Sequence, residues 1–112
     1  MRRPLRVHEC ELVRTMLRGK AGPDLISSIG RSLVEDMDDG GMGSIRFVSP
    51  RIGPRGFGEA LAEAEYTDAD GVLVSITVTS DDHGELYEVD FWKVDFSPVR
   101  EYPKPTDLRM KD

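Results

Sequence analysis

Four carboxylates fall at alternate positions in two separate segments: Glu63 and Glu65 within ALAEAEYT, Glu88 and Asp90 within ELYEVDFWKVDF. Paired carboxylates are the raw material of general acid–base catalysis. Held ~5 Å apart on neighbouring strands, they raise one another's pKa. The same groups suit a divalent cation. On an open surface they are instead a handle for a basic partner. Trp92, the only tryptophan, closes the second segment. It either anchors a partner, since Trp beside acids is a hot-spot composition, or lies covered by the C-terminal tail or the first hairpin.

Other constellations lead nowhere chemically. Asp36, Asp38 and Asp39 suggest a calcium loop, but counting from Asp36 puts Gly40 fifth and Phe47 twelfth, and counting from Asp68 puts Val72 fifth. A calcium hand needs oxygen ligands there. DDGG is therefore read as a tight turn, with Gly40, Gly41 and Gly43 in positive-φ backbone or at close chain approaches. RIGPRGFG sets Arg51 and Arg55 among glycines, as a phosphate cradle would, yet neither GK[ST] nor GxGxxG is present. His8 and His83 have no second ligand at zinc spacing. Cys10 sits on an apolar stripe and is read as a buried thiol. No serine stands in a GxSxG elbow. The residues imply no catalytic group, cofactor or metal.

The chain has 112 residues, about a third of them charged, and a net charge of −6. That composition is expected of one soluble folded domain spanning 1–112. The acidic balance argues against nucleic acid as a partner. No apolar run approaches the ~20 residues of a membrane span. The basic N-terminus lacks an apolar core and carries Glu9 and Glu11, so it is read as mature protein, not a signal peptide. A single cysteine fits a reducing cytoplasm. Charge is polarised along the chain: residues 1–20 hold six bases against two acids, and residues 59–95 one base against eleven acids. Such asymmetry suggests an oriented electrostatic surface.

The elements that position the acids follow from periodicity. Residues 8–19 read as a helix with Cys10, Val13, Met16 and Leu17 on one stripe and Gly19 ending it. Pro23 starts a short second helix that Gly30 stops. Strands are expected over 32–37 and 44–49, and residues 50–58 are expected to be loop. Three further runs alternate apolar and polar residues: Ala60 to Thr67, Val72 to Thr79, and Leu86 to Trp92. The Gly-containing turns between them make an antiparallel meander. The tail from Ser97 is expected to run along the surface.

Register follows from keeping acids out of the core. The Ala69-Asp70-Gly71 turn sets Tyr66 by Val74, Ala64 by Ile76, Glu65 by Ser75 and Glu63 by Thr77. A four-residue loop at 81–84 pairs Val78 with Tyr87 and Ile76 with Val89, and sets Thr77 by Glu88 and Ser75 by Asp90. One face then carries Ala60, Ala62, Ala64, Val74, Ile76, Val78, Tyr87, Val89 and Phe91 and receives the helix, the alanines allowing close approach. The other presents Glu63, Glu65, Glu88 and Asp90 around Ser75 and Thr77, fringed by Leu61, Leu73, Leu86 and Trp92.

The segments EDMDDGGMGSIRF, TDADGVLVS and GELYEVDFWKVDFSP resemble a family of small, uncharacterised bacterial single-domain proteins. The resemblance implies a bacterial, cytoplasmic protein and brings no catalytic residue with it. In size, acidity and helix-plus-sheet pattern the chain is also similar to toxin-neutralising immunity proteins, an architectural likeness only. The expectation is an α+β domain: one N-terminal helix and a short second helix on an antiparallel sheet of about five strands in meander order. Its expected work is binding a basic protein partner through Glu63, Glu65, Glu88, Asp90 and Trp92. The alternative is a small metal-dependent enzyme or metal-binding protein using the same carboxylates. A homodimer would form elsewhere, because four acids per copy repel.

Overall fold

The first helix begins where Glu9 turns back to accept the Arg6 backbone N–H at 2.7 Å. In this computed structural model, which describes residues 1–111, α1 runs Val7–Leu17 and buries Leu12, Val13, Met16 and Leu17 completely. Cys10 is only partly buried at the edge of that stripe. Gly19 ends the helix at φ 76, where a side chain would be strained. Pro23 occupies the first turn of α2, Pro23–Ser28, which passes into a 3₁₀ turn over Ile29–Arg31.

The strands are β1 Arg3–Pro4, β2 Leu33–Asp36, β3 Ile45–Phe47, β4 Phe57–Thr67, β5 Leu73–Asp81, β6 Leu86–Lys93 and β7 Arg109–Lys111. They form one sheet in the order β1-β2-β3-β6-β5-β4-β7, every described pairing antiparallel. About five strands in meander order is thus corrected to seven in a broken order. Two- and three-residue strands show no period, so β1 and β7 left no signal. The segment between β3 and β4 carries the chain across the sheet, leaving β6 beside β3. The tail is not merely superficial: Pro103 is buried, Tyr102 packs on the core, and β7 pairs with β4 at Glu63, Ala64 and Glu65.

The β4–β5 register is the expected one, with Glu63 opposite Thr77, Ala64 opposite Ile76, Glu65 opposite Ser75 and Tyr66 opposite Val74. The β5–β6 register lies two residues further on: Val78 faces Val89, Ile76 faces Phe91, Thr77 faces Asp90 and Ser75 faces Trp92. A displacement of two preserves which face each side chain takes. One of the two residues enters at the turn, where Ser80 already faces Leu86, and the other at a bulge between Val78 and Ser80, where Thr79 Oγ1 accepts the Glu88 N–H at 3.1 Å. The bulge reverses one local expectation: Leu86 turns into the core, while the Tyr87 ring comes to lie 5.3 Å from the guanidinium carbon of Arg46.

The inner face holds the core, with Ala62, Ala64, Tyr66, Val74, Ile76, Val78, Val89 and Phe91 buried beneath α1. Of the three alanines expected there, Ala60 is exposed. β4 also begins earlier than expected, at Phe57, because Gly58 permits it. A Cβ on Gly58 would sit 2.1 Å from the Asp81 carbonyl oxygen, so the two backbones meet where only glycine fits.

Candidate functional site

The outer face is laid out in rows. Glu63, Thr77 and Asp90 are opposed across β4, β5 and β6; so are Glu65, Ser75 and Trp92. Glu88 faces Arg46 of β3, and Arg46 faces Glu35 of β2. The sheet therefore brings the expected site residues onto one surface. It also brings bases that the sequence had placed far away.

Arg46 ion-pairs with Glu88, and Glu65 meets Arg109 at 3.5 Å and Lys111 at 3.8 Å. Two of the four carboxylates are thus engaged by the chain's own cations, and the face is striped instead of uniformly acidic. Among the described residues no base lies within ion-pair distance of Glu63 or Asp90. Burial, the adjacent Glu88 charge and a hydrogen bond with Glu88 push the Asp90 carboxyl up to about 6.

Trp92 lies in the open, 53% exposed, and is covered by neither the tail nor the first hairpin. Its ring meets the Phe96 ring edge-on, centroids 4.9 Å apart, and Phe96 is 66% exposed. Phe96 has φ 66, the only described non-glycine residue in left-handed backbone. That conformation costs ~1–3 kcal/mol for a non-glycine residue. Val94 adds a third exposed apolar side chain between them in sequence. Phe96 was not singled out from sequence, because its exposure depends on that turn.

Of the remaining acids of residues 59–95, Asp68, Asp70 and Asp81 are engaged by buried or half-buried cations, whereas Glu59, Asp82 and Asp95 stay exposed. Lys93 is fully buried and donates to Asp68 at 2.7 Å, Asp70 at 2.6 Å and the Pro98 carbonyl at 3.1 Å. Asp68 also accepts the Arg100 and Glu101 N–H groups at 2.8 and 2.9 Å, tying the tail to the sheet. Burial opposes ionisation of Asp68, but these donors outweigh it and hold its pKa at about 2. Asp81 pairs with Arg55 at 2.9 Å. On the basic side, Arg3 holds Glu9 at 2.8 and 2.9 Å and Asp36 at 2.7 and 3.1 Å. One signal for Lys93 was present in the sequence: it follows Val89 and Phe91 at the same parity, so a cation stands in line with core residues.

Among the described residues no three His, Cys, Asp or Glu side chains gather as a metal-ligand group, and none of the helices is long and apolar enough to cross a membrane. The fold and surface define a small α+β domain, helices on one face of an open antiparallel sheet, with an exposed aromatic pair on the other. The chain belongs to the family described as domain of unknown function DUF6984, which it matches over residues 2–103. No curated protein and no solved structure matches it. The segments carrying the likeness seen in the sequence meet at the buried lysine: the Lys93 N–H donates to Met42 Sδ at 3.4 Å, and its ammonium donates to Asp68 and Asp70.

Proposed function

We propose that this domain works by binding another protein through the outer face of its sheet, without catalysis. The observation that carries the reading is the Trp92–Phe96 pair, held out of the core by a turn that keeps Phe96 in strained backbone. Strain of that kind persists where surrounding structure enforces it, and it clusters at binding sites. Trp and Phe are rigid, amphipathic or apolar anchors that fill partner pockets.

Charge selects the partner. Glu63 and Asp90 retain uncompensated carboxyls beside the aromatics, and the chain as a whole carries −6. A partner with a basic surface satisfies both, and its approach is accelerated by the field. Glu65 and Glu88 contribute less than Glu63 and Asp90, because Arg109, Lys111 and Arg46 already screen them. An immunity-type role in a bacterial cytoplasm, neutralising a cationic toxin domain, is the biological form this reading takes.

The test is affinity capture from the native cell with wild-type and Trp92→Ala baits at low and high salt. The expected result is a cationic protein retained by wild type, released by salt and lost with Trp92→Ala. Retention that is indifferent to Trp92→Ala overturns the reading.

A further inference from the structure

A cleft at the opposite end of β6 from Trp92 has no part in that docking surface. β3 and β6 pair only through Ile45–Val89 and Arg46–Glu88. Beyond Arg46 the strands part, and the Arg55 guanidinium fills the gap. It donates to the Phe47 carbonyl on one side, to the Leu86 carbonyl at 2.9 Å on the other, and to Asp81 at 3.0 Å. The Tyr87 ring stands 5.0 Å from its central carbon. Backbone carbonyls that a continued ladder would have satisfied are satisfied by this one side chain. The separation is therefore built into the fold and is not a packing fault.

The parted strands open into a cavity of about 580 Å³. That volume lies within the ~300–1,000 Å³ typical of small-molecule sites. Leu25, Leu33, Phe47 and Leu86 line it with apolar surface, and Leu33 remains 43% exposed there. The polar side is cationic. Arg31 also lines the cavity, and its side chain has one described hydrogen bond, to the Ser27 carbonyl at 3.3 Å. Arg2 reaches only Glu35, at 3.4 Å, with both side chains well exposed, so solvent screens the pairing and leaves it weak. With Arg55 neutralised by Asp81, Arg2 and Arg31 are the cations left to a ligand in the cleft of a chain whose net charge is −6. The acids restrict the ligand further. Glu85 is taken by Arg51, but among the described residues Asp24 has no base within ion-pair distance and repels a second negative charge.

We propose that this cleft binds an amphipathic monoanion: a carboxylate held by Arg31 with help from Arg2, and an apolar body against Leu25, Leu33 and Leu86. The planar guanidinium fork matches a carboxylate in two parallel hydrogen bonds. Asp24 on the rim disfavours a phosphate monoester of the same body. The Arg55 bridge fixes the walls, so little ordering is lost on binding.

The experiment titrates octanoate, octyl phosphate and 1-octanol into the isotopically labelled full chain and follows backbone amide shifts. Octanoate is expected to shift Ser28, Arg31, Leu33, Val48 and Leu86 saturably and to bind more tightly than octyl phosphate. Arg31→Ala weakens octanoate about tenfold, the loss of one charge-assisted contact, and leaves 1-octanol unchanged. Leu33→Glu removes binding of all three. Arg31 and Leu33 are both exposed, and retained amide dispersion in the variants confirms their fold. Absence of saturable shifts at these amides, equal octanoate affinity in Arg31→Ala, or shifts confined to the Trp92 face each overturn the assignment. Because the readout lies at the cleft, its failure leaves the docking surface untouched.

Discussion

Lys93 Nζ lies 2.7 Å from Asp68 Oδ2, and neither side chain is exposed to solvent. The pair joins the end of β6 to the turn after β4, and through Asp68 it holds the backbone of Arg100 and Glu101. It is the junction on which the tail's course depends. A buried pair of this kind adds little compared with a well-packed apolar substitute, but breaking one side of it is costly.

Lys93→Met leaves Asp68 buried without its cation. The expected consequence is a fall in melting temperature of roughly 10 °C or more, together with loss of hydrogen-exchange protection at Arg100 and Glu101. Thermal unfolding with amide exchange checks both. Unchanged protection at these two amides would show that the tail is held some other way.

Two aspartates give opposite pH dependences. Asp68 has a folded pKa of about 2, below its ordinary 3.8. Its stabilisation is present above about 4 and is lost as pH falls through about 2. Asp90 is raised to about 6, by burial first and then by Glu88. An acid raised in this way weakens the fold where it is ionised: the penalty is absent below about 4, grows through about 6 and is complete at neutral pH. Asp90→Asn is therefore expected to stabilise by about 1 kcal/mol at pH 7, after discounting for solvent screening, and to have no effect at pH 4. Denaturant midpoints at the two pH values test the sign.

Gly58→Ala places a methyl group against the Asp81 carbonyl oxygen. Either β4 or β5 must move, at a cost of about 2–3 kcal/mol. Gly56→Ala is the control, since its nearest neighbour is a side-chain oxygen 4.0 Å away and its φ is not positive. Chemical denaturation should separate the two variants clearly. Equal midpoints would mean that the close approach of the two backbones at Gly58 yields easily.

Trp92 as the sole tryptophan reports its own environment. Red-shifted emission and ready quenching by acrylamide are expected in the native state, with Trp92→Ala changing stability by less than about 1 kcal/mol. Blue-shifted, protected emission from the free protein would place the ring under a cover and remove the docking anchor.

Much of the sheet was legible without coordinates because period-two alternation survives any tertiary arrangement. The face taken by Glu63, Glu65, Glu88, Asp90 and Trp92, and the pairing of β4 with β5, follow from keeping acids out of the core. The extent of α1 to within two residues, the start of α2 at Pro23 and the positive φ of Gly40, Gly41 and Gly43 follow instead from apolar spacing and from proline and glycine chemistry. Each is a local matter of residue type and spacing. What the acids meet is not local. Glu88 finds Arg46 from 42 residues away, Asp81 finds Arg55, Asp68 finds Lys93, and Glu65 finds the last strand. Charge counted along the chain predicted one acidic surface; folding paired two of its four carboxylates, Glu65 and Glu88, with distant bases, because a Coulomb interaction depends on distance in space and burial, which sequence separation does not fix. The cleft under Arg55 belongs to the same class, existing only where two distant strands part.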